Sequence, residues 1–220
     1  MPLYHSILTG IAMGDGRTNT AFKRANISAE VGLNAIDELC DSGIIKLQKG
    51  NKFFTSWSEN ESVNNKLFFT SPFLRFWFTF ISPIFKGIRD GDYKEFRQRF
   101  INRQNEFIQL PFIQLSHELI KLNFTQDPIV EIGTYWDNDI ELDIFAKTKS
   151  GKIIAGSCKY TNTKVKKSEL TKLQESCRKS NINPDIIIFV AKSGYSNELK
   201  SLKDENLKLL SLKHFRKLVS

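Results

Sequence analysis

The first quarter of the chain carries hydrophobic residues at the spacing of short amphipathic helices. Three such helices are predicted, over residues 4–12, 18–25 and 29–42. Ser28 stands where a helix-capping hydroxyl is expected, and Gly43 follows the third helix as a terminating glycine. This part of the chain is therefore predicted to be mainly helical.

A β-hairpin is predicted directly after the third helix. Residues 44–48 and 52–55 have the character of strands, and Lys49-Gly50-Asn51 between them is a turn sequence. Three helices followed by a hairpin are typical of a winged helix-turn-helix, which we predict for residues 1–66. The third helix holds four acidic residues and no Lys or Arg, which disfavours its insertion into the major groove of DNA. Contact with a protein partner is the alternative use of this domain.

An aromatic segment, LFFTSPFLRFWFTFISPIF, occupies residues 67–85. Ser71 and Pro72 are typical of the first positions of a helix, so a buried helix is predicted here. Arg75 and two prolines interrupt the segment, which argues against a membrane-spanning helix. We treat residues 67–105 as a helical connector whose aromatic side chains form either core or a dimer face.

From residue 106 onwards the pattern changes to the alternating helices and strands of an α/β domain. Helices are predicted up to about residue 122 and over residues 168–179. Strands are predicted at residues 129–135, 140–146, 152–159, 185–191 and 207–211. The fourth strand, DIIIFVA, is apolar throughout, which predicts burial on both faces. The fold class predicted for the whole chain is α/β with an α+β N-terminal part.

The N-terminal and C-terminal regions differ in net charge. Residues 1–66 hold seven basic and seven acidic residues, whereas residues 145–220 hold 17 Lys and Arg against six acids. Such a basic field suits a polyanion such as DNA, although lysine-rich surfaces are also common without nucleic acid. The three cysteines lack the spacing of a metal site, and the N-terminus lacks the pattern of a secretion signal. A cytoplasmic protein is expected.

Two neighbouring strands bring together side chains that suggest chemistry. The hairpin around residues 149–151 places Glu141 and Asp143 on one face of the first strand, and Ser157 and Lys159 on one face of the next, so that the two pairs are expected to converge. Carboxylates hold a divalent cation, and a lysine orients water and stabilises charge during phosphodiester hydrolysis. Asp143 and Lys159 supply the minimum of this arrangement, with Mg²⁺ or Mn²⁺ as the expected cofactor. Solvated surface residues are the alternative interpretation.

The spacing from Asp143 in ELDIFAKTKSGKIIAGSCKY to Ser157-Cys158-Lys159 resembles that of the PD-(D/E)XK nuclease superfamily. Together with SPFLRFWFTF, it resembles the uncharacterised C-terminal domain family of archaeal-type AAA+ ATPases, in which a winged helix precedes a nuclease-like domain. The resemblance implies a restriction-endonuclease-like core over residues 106–220, with Asp143, Ser157 and Lys159 at catalytic positions. Family members carry an ATPase module, so it also implies either a stand-alone remnant or a separate ATPase partner.

Two positions depart from the family pattern. Ser157 stands where glutamate is usual, and a hydroxyl is not an anionic metal ligand. The helical Phe-Glu pair is replaced by Phe112-Ile113, and Glu118 substitutes only if the helix register brings it over the sheet. Acids on and between the neighbouring strands are the further candidate metal ligands, or else solvated surface residues: Glu131, Glu141, Asp137 and Asp139.

Two groups of lysines are the candidate contacts with DNA. One precedes the helix predicted at residue 168, and the other lies on the predicted wing. Short basic runs bind phosphate, and a solvated surface is the alternative. The residues are Lys164, Lys166 and Lys167 in the first group and Lys46, Lys49 and Lys52 in the second.

Two functions follow as hypotheses. The first is a nucleic-acid-associated protein with a nuclease-like domain that acts as a weak Mg²⁺-dependent DNA endonuclease. The second is a catalytically degenerate nuclease fold that serves as a DNA-binding or a protein-interaction and regulatory module. The expected partners are DNA and a separate ATPase or other protein, without a membrane, and a homo-oligomer is also open.

Overall fold

The computed structural model describes residues 3–48, 65–136, 140–202 and 204–219. The chain divides into two compact units, Met1–Gln104 and Asn105–Ser220. The segment predicted as a connector, residues 67–105, falls almost entirely within the first unit. Within the described ranges, no helix combines the length and the apolar character that a membrane crossing needs.

The first unit begins with three helices that confirm the predicted ones. Helix α1 comprises Leu3–Met13, α2 comprises Thr18–Ala25 and α3 comprises Ala29–Asp41. Ser28 caps α3 by accepting a hydrogen bond from the backbone N–H of Val31. Gly43 follows α3 with a φ of 70°, a conformation that suits glycine. The inner faces of the three helices form one core that includes Ile7, Phe22, Ile36 and Leu39.

The strand after α3 pairs with a segment that was not predicted as a strand. Strand β1, Ile45–Gln48, pairs antiparallel with β2, Lys66–Phe69, so that Leu47 lies opposite Leu67. The predicted turn at residues 49–51 and strand at residues 52–55 lie outside the described residues. Leu67 is almost completely buried, which explains why this apolar segment joins the first unit as a strand. The winged helix itself stays a prediction.

The aromatic segment is not one regular helix as predicted. After β2, Ser71 caps the short helix α4, Pro72–Phe76, as expected. The chain continues as a π-helical turn, Trp77–Ile81, and a 3₁₀ turn, Ser82–Ile84, before helix α5, Phe85–Arg89. Pro83 has no N–H to donate, which accounts for the break in regular α-helix at this point. Phe78 and Phe80 are buried, whereas 66% of Phe73 is exposed.

The second unit is a mixed α/β structure with a five-stranded sheet. Helix α6, Lys94–Asn123, starts 12 residues before the predicted position, and its residues from 105 onwards belong to this unit. The five predicted strands are confirmed, each within two residues at either end. They are β3 (Ile129–Trp136), β4 (Glu141–Thr148), β5 (Ile153–Lys159), β6 (Ile186–Ala191) and β7 (Leu207–Ser211). Two further helices are α7 (Lys167–Lys179) and α8 (Asn197–Lys200), and a 3₁₀ segment, Leu212–Leu218, follows β7.

The strands lie in the order β3-β4-β5-β6-β7. The first three are antiparallel neighbours, whereas β5, β6 and β7 are parallel to one another. Parallel neighbours need a crossover connection, and α7 provides the one between β5 and β6. Strand β6 is buried along almost its whole length, as its apolar sequence predicts. Phe112, Ile113 and Ile120 of α6 share a core with sheet residues such as Ile144 and Ile188.

Gly156 lets β5 approach β6 closely. A Cβ at this position would overlap the carbonyl oxygen of Ile188, the residue paired with Gly156 on β6. The next residues of β5, Ser157 and Lys159, therefore emerge from a tightly packed part of the sheet. Their positions are fixed by pairing with β6, where they lie opposite Phe189 and Ala191.

Candidate functional site

Asp143 and Ser157 meet across neighbouring strands. Ile144 is paired with Gly156, so Asp143 and Ser157 are the next residues along β4 and β5. The Ser157 hydroxyl donates a hydrogen bond to Oδ2 of Asp143 over 2.8 Å, and the backbone N–H of Cys158 donates to the same oxygen over 2.8 Å. The carboxylate of Asp143 is thus held by two donors from β5.

The surroundings of Asp143 make its charge unfavourable. Burial raises the pKa of this carboxyl above its ordinary value, and the negative charge of Glu141 raises it further. The hydrogen bonds from Cys158 and Ser157, and the positive charge of Lys159, act in the opposite direction without overcoming burial. The site therefore holds a desolvated carboxyl group within the electrostatic reach of a lysine.

Helix α6 places two polar side chains against the ends of these strands. His117 donates a hydrogen bond from Nε2 to the backbone carbonyl of Asp143 over 2.7 Å, and burial lowers its pKa, which favours the neutral ring. Gln109 donates to the carbonyl of Cys158 over 2.8 Å and accepts from the N–H of Tyr160 over 3.2 Å. Both strands are thereby fixed to the same helix on either side of the candidate site.

Neither His117 nor Gln109 was predicted from the sequence as a site residue. Both lie on the stripe of α6 that also carries Phe112 and Ile120, which face the core. Polar residues on an otherwise apolar helical stripe are the signal that identifies such contacts.

Lys159 is paired with an acid that the sequence did not point to. Its Nζ lies 3.1 Å from Oε2 of Glu169 in the first turn of α7, and Oε1 of Glu169 lies 2.9 Å from Nζ of Lys172. Hydrogen bonds from Lys172 and Lys159 lower the pKa of Glu169 below its ordinary value. The acid is therefore ionised at neutral pH. No local pattern marks Glu169, because its contact depends on how α7 packs beside β5.

A groove opens beside Lys159 at the carboxyl end of β5. Its volume is about 380 Å³, and it is formed largely by the loop that leads from β5 to α7. Ligands commonly bind outside the carboxyl ends of parallel strands. Three of the lining residues are lysines, namely Lys159, Lys164 and Lys166. Three others carry hydroxyl groups, namely Thr161, Thr163 and Ser168.

The loop that lines this groove is held by the segment after β6. The N–H of Val165 donates to the carbonyl of Gly194 over 2.9 Å, and the N–H of Ser196 donates to the carbonyl of Val165 over 2.9 Å. Lys192 places its ammonium 4.5 Å from the ring centre of Tyr160 and 2.8 Å from Oδ1 of Asn162. The groove walls are thus fixed in place, and Lys192 adds a nearby positive charge that was not predicted.

The predicted additional metal ligands that the structure describes lie at different distances from Asp143. Glu131 lies opposite Lys147, four residues along β4 from Asp143, which corresponds to about 13 Å. Glu141 is exposed, two residues before Asp143 on the same face of β4, and is near enough for its charge to raise the pKa of Asp143. Glu118 is 57% exposed and pairs with Lys121 over 2.8 Å, so the register of α6 turns it away from the sheet. Asp137 and Asp139 lie outside the described residues.

The lysines that were predicted to contact DNA lie in different parts of the structure. Lys164 and Lys166 line the groove, whereas Lys167 lies 3.6 Å from Glu198 and is not among the lining residues. Lys46 is exposed on β1 of the first unit, opposite Phe68. Lys49 and Lys52 lie outside the described residues.

The donor set at Asp143 does not fit the Mg²⁺ ion that the resemblance implies. The second ligand position holds the Ser157 hydroxyl, which uses its proton to bind Asp143 rather than offering a negative charge. In the described ranges there is no group of three or more His, Cys, Asp and Glu side chains that could hold a metal. Magnesium is a hard cation that proteins bind through carboxylates. At the second ligand position, a neutral hydroxyl beside a carboxyl group with a raised pKa is a poor substitute for two carboxylates.

The similarity of this chain to known proteins covers part of its length. A solved structure that resembles this chain is that of a repair endonuclease from Pyrococcus abyssi, with 18% sequence identity and a TM-score of 0.30. The matched region covers 44% of this chain and 46% of that chain, so less than half of either is aligned. A likeness at this level carries no argument about function.

No curated protein matches the chain. Residues 77–172 match the model of the family DUF234, described as archaeal and bacterial proteins of unknown function. This match covers fewer than half of the 220 residues, although it includes Asp143, Ser157, Lys159 and Glu169. The candidate site therefore lies in the part of the chain that is similar to this family.

Proposed function

We propose that the second unit binds the phosphate backbone of nucleic acid in the groove beside Lys159, and that it does so without a divalent metal. In this proposal the sheet is a nuclease-like fold of the restriction-endonuclease type that serves for binding. Asp143 then acts as a structural residue that holds the ends of β4 and β5 together.

The observation that carries this proposal is the chemistry of the groove walls. Three lysines and three hydroxyl side chains face one space of about 380 Å³. Ammonium and hydroxyl groups are the side chains that proteins use to contact phosphate oxygens without reading base sequence. The loop that carries most of them is held by backbone hydrogen bonds to the segment after β6. The surplus of basic residues over positions 145–220 adds a field of the same sign.

The residues around Asp143 support binding rather than hydrolysis. Metal-assisted cleavage of a phosphodiester needs a cation held by carboxylates next to the scissile phosphate. Ser157 supplies a neutral donor in place of the second carboxylate, and Lys159 is paired with Glu169. Weak Mg²⁺-dependent endonuclease activity is the second candidate, because Asp143 and Lys159 are close enough for their charges to interact.

The first unit has a different surface. Helix α3 exposes four carboxylates, those of Glu30, Asp37, Glu38 and Asp41. Phosphates would be repelled by this face, so a basic protein surface suits it better than DNA. A separate ATPase, which the sequence resemblance implies, is one partner that fits this part of the proposal.

The test is nucleic-acid binding by the full chain in EDTA and in Mg²⁺ or Mn²⁺, with cleavage followed in the same samples. The diagnostic variant is Lys164→Gln/Lys166→Gln. A matched control is Lys149→Gln/Lys179→Gln, which removes the same charge from two exposed lysines of the same unit. Lys149 lies in the turn before β5, about 20 Å from its carboxyl end. Lys179 ends α7, about 18 Å from the first turn.

We expect binding in EDTA that weakens about tenfold in the groove variant and much less in the control. In the groove variant, the slope of the logarithm of the binding constant against the logarithm of salt concentration should also become shallower by about two, because two phosphate contacts are lost. Equal losses in the two variants, or no binding by the wild type, would overturn the proposal. Metal-dependent cleavage that disappears in Asp143→Ala would establish the second candidate instead.

A further inference from the structure

We infer that the Glu169 carboxylate occupies the place beside Lys159 that a phosphate of the ligand would take. It thereby limits the affinity of the groove for phosphate and favours ligands with several phosphates over ligands with one. This inference rests on the proposed function, because it assigns a role to an acid within the same groove. It concerns a residue that neither the sequence pattern nor the comparisons single out.

The geometry around Glu169 is that of a bound anion. One carboxylate oxygen lies 3.1 Å from Nζ of Lys159 and the other lies 2.9 Å from Nζ of Lys172. A phosphate group would use its oxygens in the same way, with one lysine contacting each. Among the described residues that line the groove, Glu169 carries the one negative charge.

Partial burial strengthens the ion pair between Lys159 and Glu169. The Lys159 and Glu169 side chains are 35% and 28% exposed, whereas Lys172 is 71% exposed. A half-buried ion pair is less screened by water and salt than a surface pair. The contacts with both lysines also keep the Glu169 carboxylate ionised at neutral pH. A ligand that reaches Lys159 must therefore displace a charged group that is already well placed.

Selectivity follows from this competition. A single phosphate that displaces Glu169 exchanges one anion for another at Lys159 and gains little. A polymer that contacts Lys164 and Lys166 at the same time gains two further ion pairs, which offset the displacement. Glu169 thus favours nucleic-acid chains over free phosphate.

Two substitutions and one control test this role in the full chain. Glu169→Gln removes the charge, whereas Glu169→Asp keeps the net charge but shortens the side chain by one methylene. The control is Glu175→Gln, because Glu175 is exposed on the same helix, does not line the groove and changes the net charge equally. A thermal melt of each variant confirms that it is folded.

We expect Glu169→Gln to bind an oligonucleotide about fivefold to tenfold more tightly. The slope of the logarithm of its binding constant against the logarithm of salt concentration should be steeper by about one. Glu169→Asp should also bind more tightly although its net charge is unchanged, and Glu175→Gln should remain close to the wild type. In the Lys159→Met background the gain from Glu169→Gln should largely disappear. Inorganic phosphate should raise the melting temperature of Glu169→Gln and leave that of the wild type nearly unchanged.

Two results would overturn the inference. One is an equal gain in Glu169→Gln and Glu175→Gln with none in Glu169→Asp, which would show an effect of net charge alone. The other is tighter phosphate binding by the wild type than by Glu169→Gln. Either result leaves the proposed function standing if the wild type binds nucleic acid. Failure of the wild type and all variants to bind would instead remove the proposed function itself.

Discussion

The Ser157 hydroxyl donates a hydrogen bond to Oδ2 of Asp143 across the junction of β4 and β5. Together with the N–H of Cys158, it holds a carboxyl group whose pKa is raised by burial. The folded protein thus places an acidic side chain where burial disfavours its charged form. The cost of burying this carboxyl group can be tested through the pH dependence of folding.

Replacing Asp143 with Asn should stabilise the protein at neutral pH. A carboxyl with a raised pKa in the folded state contributes stability below its unfolded pKa, about 4, and this contribution is lost as the pH rises through the folded pKa. Asn keeps an acceptor oxygen and removes the charge. The free energy of unfolding, measured with urea, should exceed that of the wild type at neutral pH, and the difference should shrink towards pH 4.

Asp127→Asn provides a control of opposite sign. Hydrogen bonds from Ser150 and Thr148 lower the pKa of Asp127, so its ionised form stabilises the fold at neutral pH. Asp127→Asn should therefore reduce the free energy of unfolding at neutral pH. If Asp143→Asn behaved in the same way as Asp127→Asn, the charge of Asp143 would be favourable in the folded state, against the expectation from its burial.

Replacing Ser157 with Glu should create a metal-dependent stability that the wild type lacks. The new carboxylate would face Asp143 across the strands, where like charges repel. The melting temperature should fall in EDTA and recover in Mg²⁺ or Mn²⁺, because a divalent cation neutralises the pair. The matched control is Ser157→Gln, which has the same shape without the charge. A metal-dependent rise of equal size in the wild type would show that Asp143 already holds a cation with other ligands.

His117 should make folding sensitive to mild acid. Burial lowers the pKa of this ring in the folded state, so its contribution to stability is present above its ordinary pKa, about 6.5, and is lost as the pH falls below that value. In His117→Gln the free energy of unfolding should change less between about pH 7 and pH 5 than it does in the wild type. The titration of the His117 ring followed by NMR gives the pKa directly, and a midpoint above about 6.5 would contradict this account.

The sequence allowed the strands of the second unit to be predicted well because their signals are local. The hairpin of β4 and β5 has alternating side chains around a turn, where Gly151 adopts a φ of 92° that suits glycine. Asp143 and Ser157 were expected to converge for the same reason, since register follows from a short turn.

The remaining contacts depend on packing between distant parts of the chain. Strand β2 pairs with β1 across an intervening segment, and no local pattern identifies that partner. The contact of Glu169 with Lys159 requires α7 to start beside the end of β5. The prolines and aromatic side chains of residues 67–85 fit a helix by pattern, yet the segment forms short helical turns of three kinds.

Gly156→Ala should destabilise the second unit strongly. The added methyl group would overlap the backbone carbonyl of Ile188, which cannot move without disturbing the pairing of β5 with β6. Overpacking of a tight core costs about 1–3 kcal/mol, occasionally more, so the free energy of unfolding should fall by at least that amount.

The control for this effect is Gly151→Ala in the same unit. Gly151 has a positive φ but open space around its Cβ position, so its substitution should cost only about 1 kcal/mol through backbone strain. Because Ser157 and Lys159 lie one and three residues after Gly156 on β5, nucleic-acid affinity should fall in Gly156→Ala under conditions where the protein is still folded, and should be unaffected in Gly151→Ala. Equal destabilisation by the two substitutions would show that β5 and β6 tolerate a wider separation than their register indicates.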